Sequence, residues 1–236
     1  MTHAQVSREE WLKARTALLQ KERAFTRLRD ALTRQIRELP WVRVDKPYWF
    51  EGPDGRESLG DLFGRHHQLL VYHFMLGPDW EQGCKSCSFW ADNFQGIPIH
   101  LAHRDVSFVT ISRAPLHTIK RFRQRMGWTF KWVSSFGSDF NFDFHVSFTE
   151  DEIAAGKAFY NYRATGEVAD EMPGVSAFYK DGTEIFHTYS TYARGLDLLN
   201  GAYNYLDLVP KGRDERPEST MEWLRHHDRY ETEART

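Results

Sequence analysis

Cysteine occurs twice in the 236 residues, at Cys84 and Cys87, within the stretch YHFMLGPDWEQGCKSCSFWADN. A pair at i and i+3 on the first turn of a helix can close a disulfide. Its first thiol then sits where unpaired backbone amides and the helix dipole favour the thiolate. Lys85 adds a neighbouring cation that pushes the same way. In that arrangement Cys84 attacks a disulfide or another oxidised centre, and Cys87, one turn deeper, resolves the mixed disulfide. Two cysteines are too few to staple a scaffold, and a close pair in a reducing compartment belongs to redox chemistry or metal binding.

Zinc sites use the same C-x-x-C spacing, so the surroundings have to decide. His100 and His103 follow Cys87 at nearly the interval of a two-cysteine, two-histidine finger. That reading is disfavoured because the histidines are one residue too close, Gly96 and Pro98 interrupt the stretch, and a long apolar run precedes the pair.

The apolar run HQLLVYHFML has the length of a strand buried on both faces, and SFWADNFQGI reads as a helix starting near the cysteines. DVSFVTISR is a second buried strand, PLHTIKRFRQRM a helix stopped by Gly127, and WTFKWVSS a third strand. Strand, helix, strand, helix, strand predicts an α/β sheet with parallel members. SDFNFDFHVSF, with aromatics alternating as in strands, and TEDEIAAGKAFYNYR read as an insertion over about 137–170, ahead of a β-hairpin turning at Asp181-Gly182. Upstream, Ser7 and Glu10 form a capping-box pattern. Trp11, Leu18, Phe25, Leu32 and Leu39 then repeat every seven residues, predicting an amphipathic helix over roughly 8–38 that ends at Pro40. The organisation expected is therefore a helix in 1–40, a main domain in 41–212, and a charged tail in 213–236 with a helix from Ser219.

With 31 basic against 33 acidic residues and a net charge of −2, no field of one sign points to nucleic acid. No secretory signal pattern opens the chain, and no apolar run approaches the roughly 18 residues of a membrane span, so a cytoplasmic protein is expected. The seven-residue series and the surplus of aromatics favour a homodimer over a monomer.

The stretches LLVYHFMLGPDWEQGCKSCSFWADN, VTISRAPL, SDFNFDFHVSF and FHTYSTYARGLDLLNGAYNYLDLVPKGR, preceded by EEWLKARTALLQKE and LPWVRVDKPYWF, resemble the bacterial family called domain of unknown function 899. That family belongs to the thioredoxin-like superfamily. The resemblance spans nearly the whole chain and implies a thioredoxin-like fold: a central mixed sheet flanked by helices, with an N-terminal helical extension and an insertion before the final hairpin. It implies no substrate.

The pair departs from thioredoxin's own W-C-G-P-C, because Trp80 lies four residues ahead of Cys84 and Lys85-Ser86 replace Gly-Pro. A peroxiredoxin site would need a hydroxyl residue where Glu81 stands and a proline closer than Pro78, so peroxidase chemistry of that kind is not expected. Folds of this kind set a cis-proline beside the cysteines. Pro173 lies near that place, although the count to the hairpin turn fits Gly174 or Val175 better.

By likeness to thioredoxin-like copper chaperones, His187 on the return strand of the hairpin would complete a Cys84, Cys87, His187 site for copper(I) or zinc. A hydrogen-bonded structural histidine is the plainer reading. His73 offers the same choice between a base that activates Cys87 and a core histidine.

The function expected is a thiol–disulfide oxidoreductase that needs no cofactor beyond its redox-active disulfide. Its partners would be a protein or small-molecule disulfide and a reductant of the thioredoxin or glutathione kind, with metal binding as the alternative.

Overall fold

Ser7 Oγ accepts the Glu10 amide while the Glu10 carboxylate accepts the Ser7 amide at 2.9 Å, so the capping box opens α1 (Arg8–Arg37) where the sequence places it. The computed structural model describes residues 3–230. The chain divides into two compact units that part after Pro40. The first is this helix, whose opening turn carries Glu9 and Glu10 and whose last turn carries Arg34 and Arg37, complementing the helix dipole at both ends.

The second unit begins with β1 (Val42–Arg43) and the hairpin β2 (Trp49–Gly52) and β3 (Gly55–Ser58), turning at Pro53-Asp54. The short α2 (Leu59–Leu62) leads into β4 (Gln68–His73). Next come α3 (Lys85–Ala91), α4 (Ile97–Ala102), β5 (Val106–Ser112), α5 (Leu116–Arg125) and β6 (Trp132–Ser134). Between β6 and the final hairpin lie α6 (Phe140–Asp143), α7 (Glu150–Ala154) and the small pair β7 (Ala158–Tyr160) and β8 (Arg163–Thr165). The hairpin is β9 (Gly174–Asp181) and β10 (Glu184–Tyr192), followed by a 3-10 segment over Ala193–Leu199 and by α8 (Gly201–Leu206).

Eight strands form one sheet in the order β1-β10-β9-β4-β5-β6-β2-β3. β4, β5 and β6 run parallel, while β9 is antiparallel to β4 and to β10. The inner strands β5-β4-β9-β10 thus join a parallel pair with a helical crossover to an antiparallel hairpin. That is the core arrangement of a thioredoxin-like fold, here a central mixed sheet flanked by helices. Both faces of the sheet are covered, as the near-continuous apolar strands require.

Strand alternation divides the side chains between two cores. Leu69 and Val71 of β4 pack with Phe50, Phe63, Phe140 and Phe178 on one face, whereas Tyr72 pairs with Phe74, Cys87, Trp90 and Trp132 on the other. A third cluster of Val146, Phe148, Ala158, Tyr160 and Tyr192 closes the segment between β6 and β9.

Two local expectations are corrected. Phe140, Phe142 and Phe144 alternate as in a strand, but the chain coils there into α6. Phe140 and Phe144, four apart, then stack at 4.6 Å in one core, and Arg113 covers Phe142. The helix expected from Ser219 is instead a series of turns, because Met221 takes φ 63° and so cannot continue a right-handed helix. Leu224 and His226 are buried there, which gives the charged tail a docked portion.

Candidate functional site

Past the end of β4 the chain continues through Phe74, Met75 and Leu76, and Met75 grips both cysteines. Its carbonyl accepts the Cys84 amide at 3.0 Å, and its amide donates to Cys87 Sγ at 3.4 Å. Cys84 is the N-cap of α3 and is partly exposed; Cys87, one turn in, is buried. Both are free thiols. The turn into the helix needs Gly83, since a Cβ there would come within 2.5 Å of the Phe74 ring and 2.6 Å of the Phe122 ring.

This placement splits the two thiols. Cys84 is lowered from 9.0 to about 6, chiefly by hydrogen bonding from the Cys87 thiol, with burial opposing and the backbone amides of Cys87 and Ser86 adding to it. Those amides form no full cap bond to the sulfur and act as oriented dipoles at the helix start. Burial pushes the Cys87 thiol well up, and the neighbouring Cys84 adds to the rise; the Met75 amide and the Tyr72 hydroxyl oppose it. The arrangement favours the thiolate at Cys84 and the protonated thiol at Cys87.

Trp80 is half-buried and packs against the core that contains Cys87, with its indole over Gly77. Ser86 contributes its amide and hydroxyl to lowering Cys84. Lys85, the first residue of α3, is exposed. Pro173, in a trans peptide, lines the same cavity as Cys87.

The two histidines lie elsewhere. The His73 ring stacks on Phe140 at 5.7 Å, and His187 sits 5.2 Å from Phe144, both on the face of the sheet opposite Cys87. They end a buried chain in which His73 Nε2 meets Ser176 Oγ at 2.9 Å, Ser176 meets Ser190 at 2.8 Å, and Ser190 meets His187 Nε2 at 2.7 Å. Burial lowers both imidazoles, His73 to about 3. The grouping of His187 with Cys84 and Cys87 is therefore corrected: strand parity turns it away from them. Among the described residues no cluster of three or more His, Cys, Asp or Glu could hold a metal ion.

Sequence reasoning missed three neighbours of the pair. Tyr72, adjacent to His73, points at Cys87 because alternate residues of β4 face opposite ways; that parity was readable once the strand was assigned. Met75 acts through its backbone and carries no sequence signal. His226 reaches the Gly83 carbonyl at 2.9 Å from 143 residues away.

Among solved structures, the chain is similar to the peroxidoxin BcpB of Mycobacterium tuberculosis, at 11% identity and TM-score 0.43 over 68% of this chain and 93% of that one. It is similar to peroxiredoxin Q of Xanthomonas campestris, at 15% identity and TM-score 0.38 over 67% and 89%. A putative protein disulfide isomerase from Bacteroides thetaiotaomicron aligns at 16% identity and TM-score 0.38 over 70% and 91%. No curated protein matches the chain. No helix among the described residues is long and apolar enough to cross a membrane. The match that carries an assignment is to a family, runs over residues 1–230, and takes in both units and the cysteine pair: the chain belongs to the family described as bacterial protein of unknown function, DUF899.

Proposed function

We propose that the protein is a thiol–disulfide oxidoreductase in which Cys84 is the nucleophile and Cys87 the resolving thiol. The observation that carries this reading is the placement of two free thiols on one turn of α3, Cys84 partly exposed at the N-cap and Cys87 buried behind it, which lowers the first thiol and raises the second. The Cys84 thiolate attacks one sulfur of a substrate disulfide, forms a mixed disulfide and expels the other sulfur as a thiolate. Cys87 then loses its proton and attacks Cys84 Sγ, releasing the second substrate thiolate and leaving an intramolecular disulfide. A reductant of the thioredoxin or glutathione kind returns the pair to dithiol. No cofactor enters either step.

The test is oxidation of pre-reduced protein by bis(2-hydroxyethyl) disulfide, followed by mass spectrometry. The wild type is expected to lose two protons with no adduct, Cys87→Ser to keep one hydroxyethylthio adduct on Cys84, and Cys84→Ser to react far more slowly. Equal reactivity of the two single variants would overturn the assignment of roles, and a wild type that never forms the intramolecular disulfide would overturn the reading itself.

A further inference from the structure

Beside Cys87 a cavity of about 210 Å³ opens between α3, the residue before β9, the 3-10 segment and the C-terminal segment. Its walls are Tyr72, Trp90, Pro173, Leu196 and Met221, with Ser86 and Cys87 on the helix side. Its charged side chains, Arg194 and Asp197, are paired with each other at 3.3 Å, and Asp197 is also held by Arg213 at 3.0 Å. The Arg194 side chain is 88% exposed, so its charge faces solvent while the walls named above are mainly apolar. Its size compares with apolar cavities of roughly 150 Å³ that hold a benzene ring, and it is below the about 300 Å³ at which pockets for drug-sized ligands begin.

We infer that this cavity is the specificity pocket of the redox site and takes the uncharged, apolar body of a low-molecular-weight disulfide, about the size of a benzyl group. The inference rests on the dithiol reading above and adds the substrate class to it. Attack at sulfur is in line, so the substrate sulfur bound to Cys84 lies on the side away from Cys87. A body that folds back over Ser86, which lines the cavity, then reaches it. The pocket holds the mixed disulfide Cys84–S–S–R until Cys87 attacks, and R–S⁻ leaves as the Cys84–Cys87 bond forms.

Single-turnover oxidation of pre-reduced, full-length protein tests this, with benzyl 2-hydroxyethyl disulfide compared against bis(2-hydroxyethyl) disulfide. Each rate is normalised to that of free dithiothreitol to remove intrinsic reactivity. A preference of at least about tenfold for the benzyl compound is expected, as for burying a few apolar carbons in a specificity pocket. Ala193→Phe, at an exposed lining position, and Met221→Phe should each bring the ratio towards one. A normalised ratio near one in the wild type overturns the pocket and leaves the dithiol reading standing; failure of both disulfides to oxidise the pair overturns that reading. A second measurement needs no chemistry: titrating Cys84→Ser protein with benzyl methyl sulfide should shift the Met221 methyl resonance saturably. A flat titration overturns the cavity as a site for such a body.

Discussion

His226 donates its Nε2–H to the carbonyl oxygen of Gly83 at 2.9 Å, and Gly83 immediately precedes Cys84. The other ring nitrogen accepts from Arg125 at 3.1 Å, which assigns the neutral tautomer with its hydrogen on Nε2. Arg125 in turn holds Asp228 with two bonds of 2.9 Å, so the C-terminal segment is clamped to α5 and to the turn before the cysteines together.

Burial keeps the His226 imidazole below its ordinary value. A depressed histidine binds fewer protons folded than unfolded, so its contribution is fully present above the unfolded value of about 6.5 and is lost as pH falls through the lower folded value. Cleavage in 213–225 by limited proteolysis should therefore accelerate as pH drops below about 6.5. His226→Ala should cost roughly 1–3 kcal/mol in urea melts, because the Gly83 carbonyl and one Arg125 N–H lose their partner. Proteolysis that is flat from pH 7 to 5 would contradict the clamp.

The depressed Cys84 thiol predicts that iodoacetamide alkylation of the reduced protein follows a titration with its midpoint near 6. Since the Cys87 thiol is the largest cause, Cys87→Ala should move that midpoint up towards the ordinary thiol value of about 8.5. The folded state binds fewer protons at Cys84 between these two values, so the reduced protein should also gain stability with rising pH across that window. A midpoint above 8 in the wild type would count against it.

Tyr72 predicts the rate of the second step. Its hydroxyl helps hold the Cys87 thiolate, so in Tyr72→Phe that thiol rises further. The mixed disulfide on Cys84 should then resolve roughly threefold to tenfold more slowly, the value of one hydrogen bond, while the alkylation midpoint of Cys84 stays near 6. Quench-and-mass kinetics separates these two readouts. Unchanged resolution would remove Tyr72 from the mechanism.

Glu171 is a buried carboxyl that Arg113 and Ser147 each reach at 2.8 Å, yet burial outweighs them and raises it to about 7. A raised acid binds more protons folded than unfolded, so its stabilisation is complete below about 4.3 and is lost as pH rises towards 7. Thermal melts should show Tm falling over that interval through this group, and Glu171→Gln, which stays neutral, should flatten that fall. An unchanged slope in the variant would show that the ion pair with Arg113 keeps Glu171 charged throughout.

Much of the scaffold was legible because its signals are local. The Ser7–Glu10 box, the apolar run of β4, the Gly127 stop and the hairpin turn, which falls at Gly182-Thr183 one residue past the expected pair, each depend on residues within a few positions of one another. The cysteine pair was legible for the same reason, since its spacing alone sets both thiols on one turn of α3.

What the tertiary structure decided depends on residues far apart in the chain. Strand parity on β4 carries Tyr72 to Cys87 and His73 to the Ser176–Ser190–His187 chain on the other face, a choice that turns on which side of the sheet α3 packs. A backbone group of Met75 and a ring of His226 finish the site, and neither has a sequence pattern, because a carbonyl is common to every residue and a contact across 143 positions leaves no periodicity. The sequence by itself therefore determined the cysteine pair and which thiol stands at the start of the helix; only packing decided what lies beside each thiol, and that the tail expected to carry a helix from Ser219 would line the cavity beside Cys87.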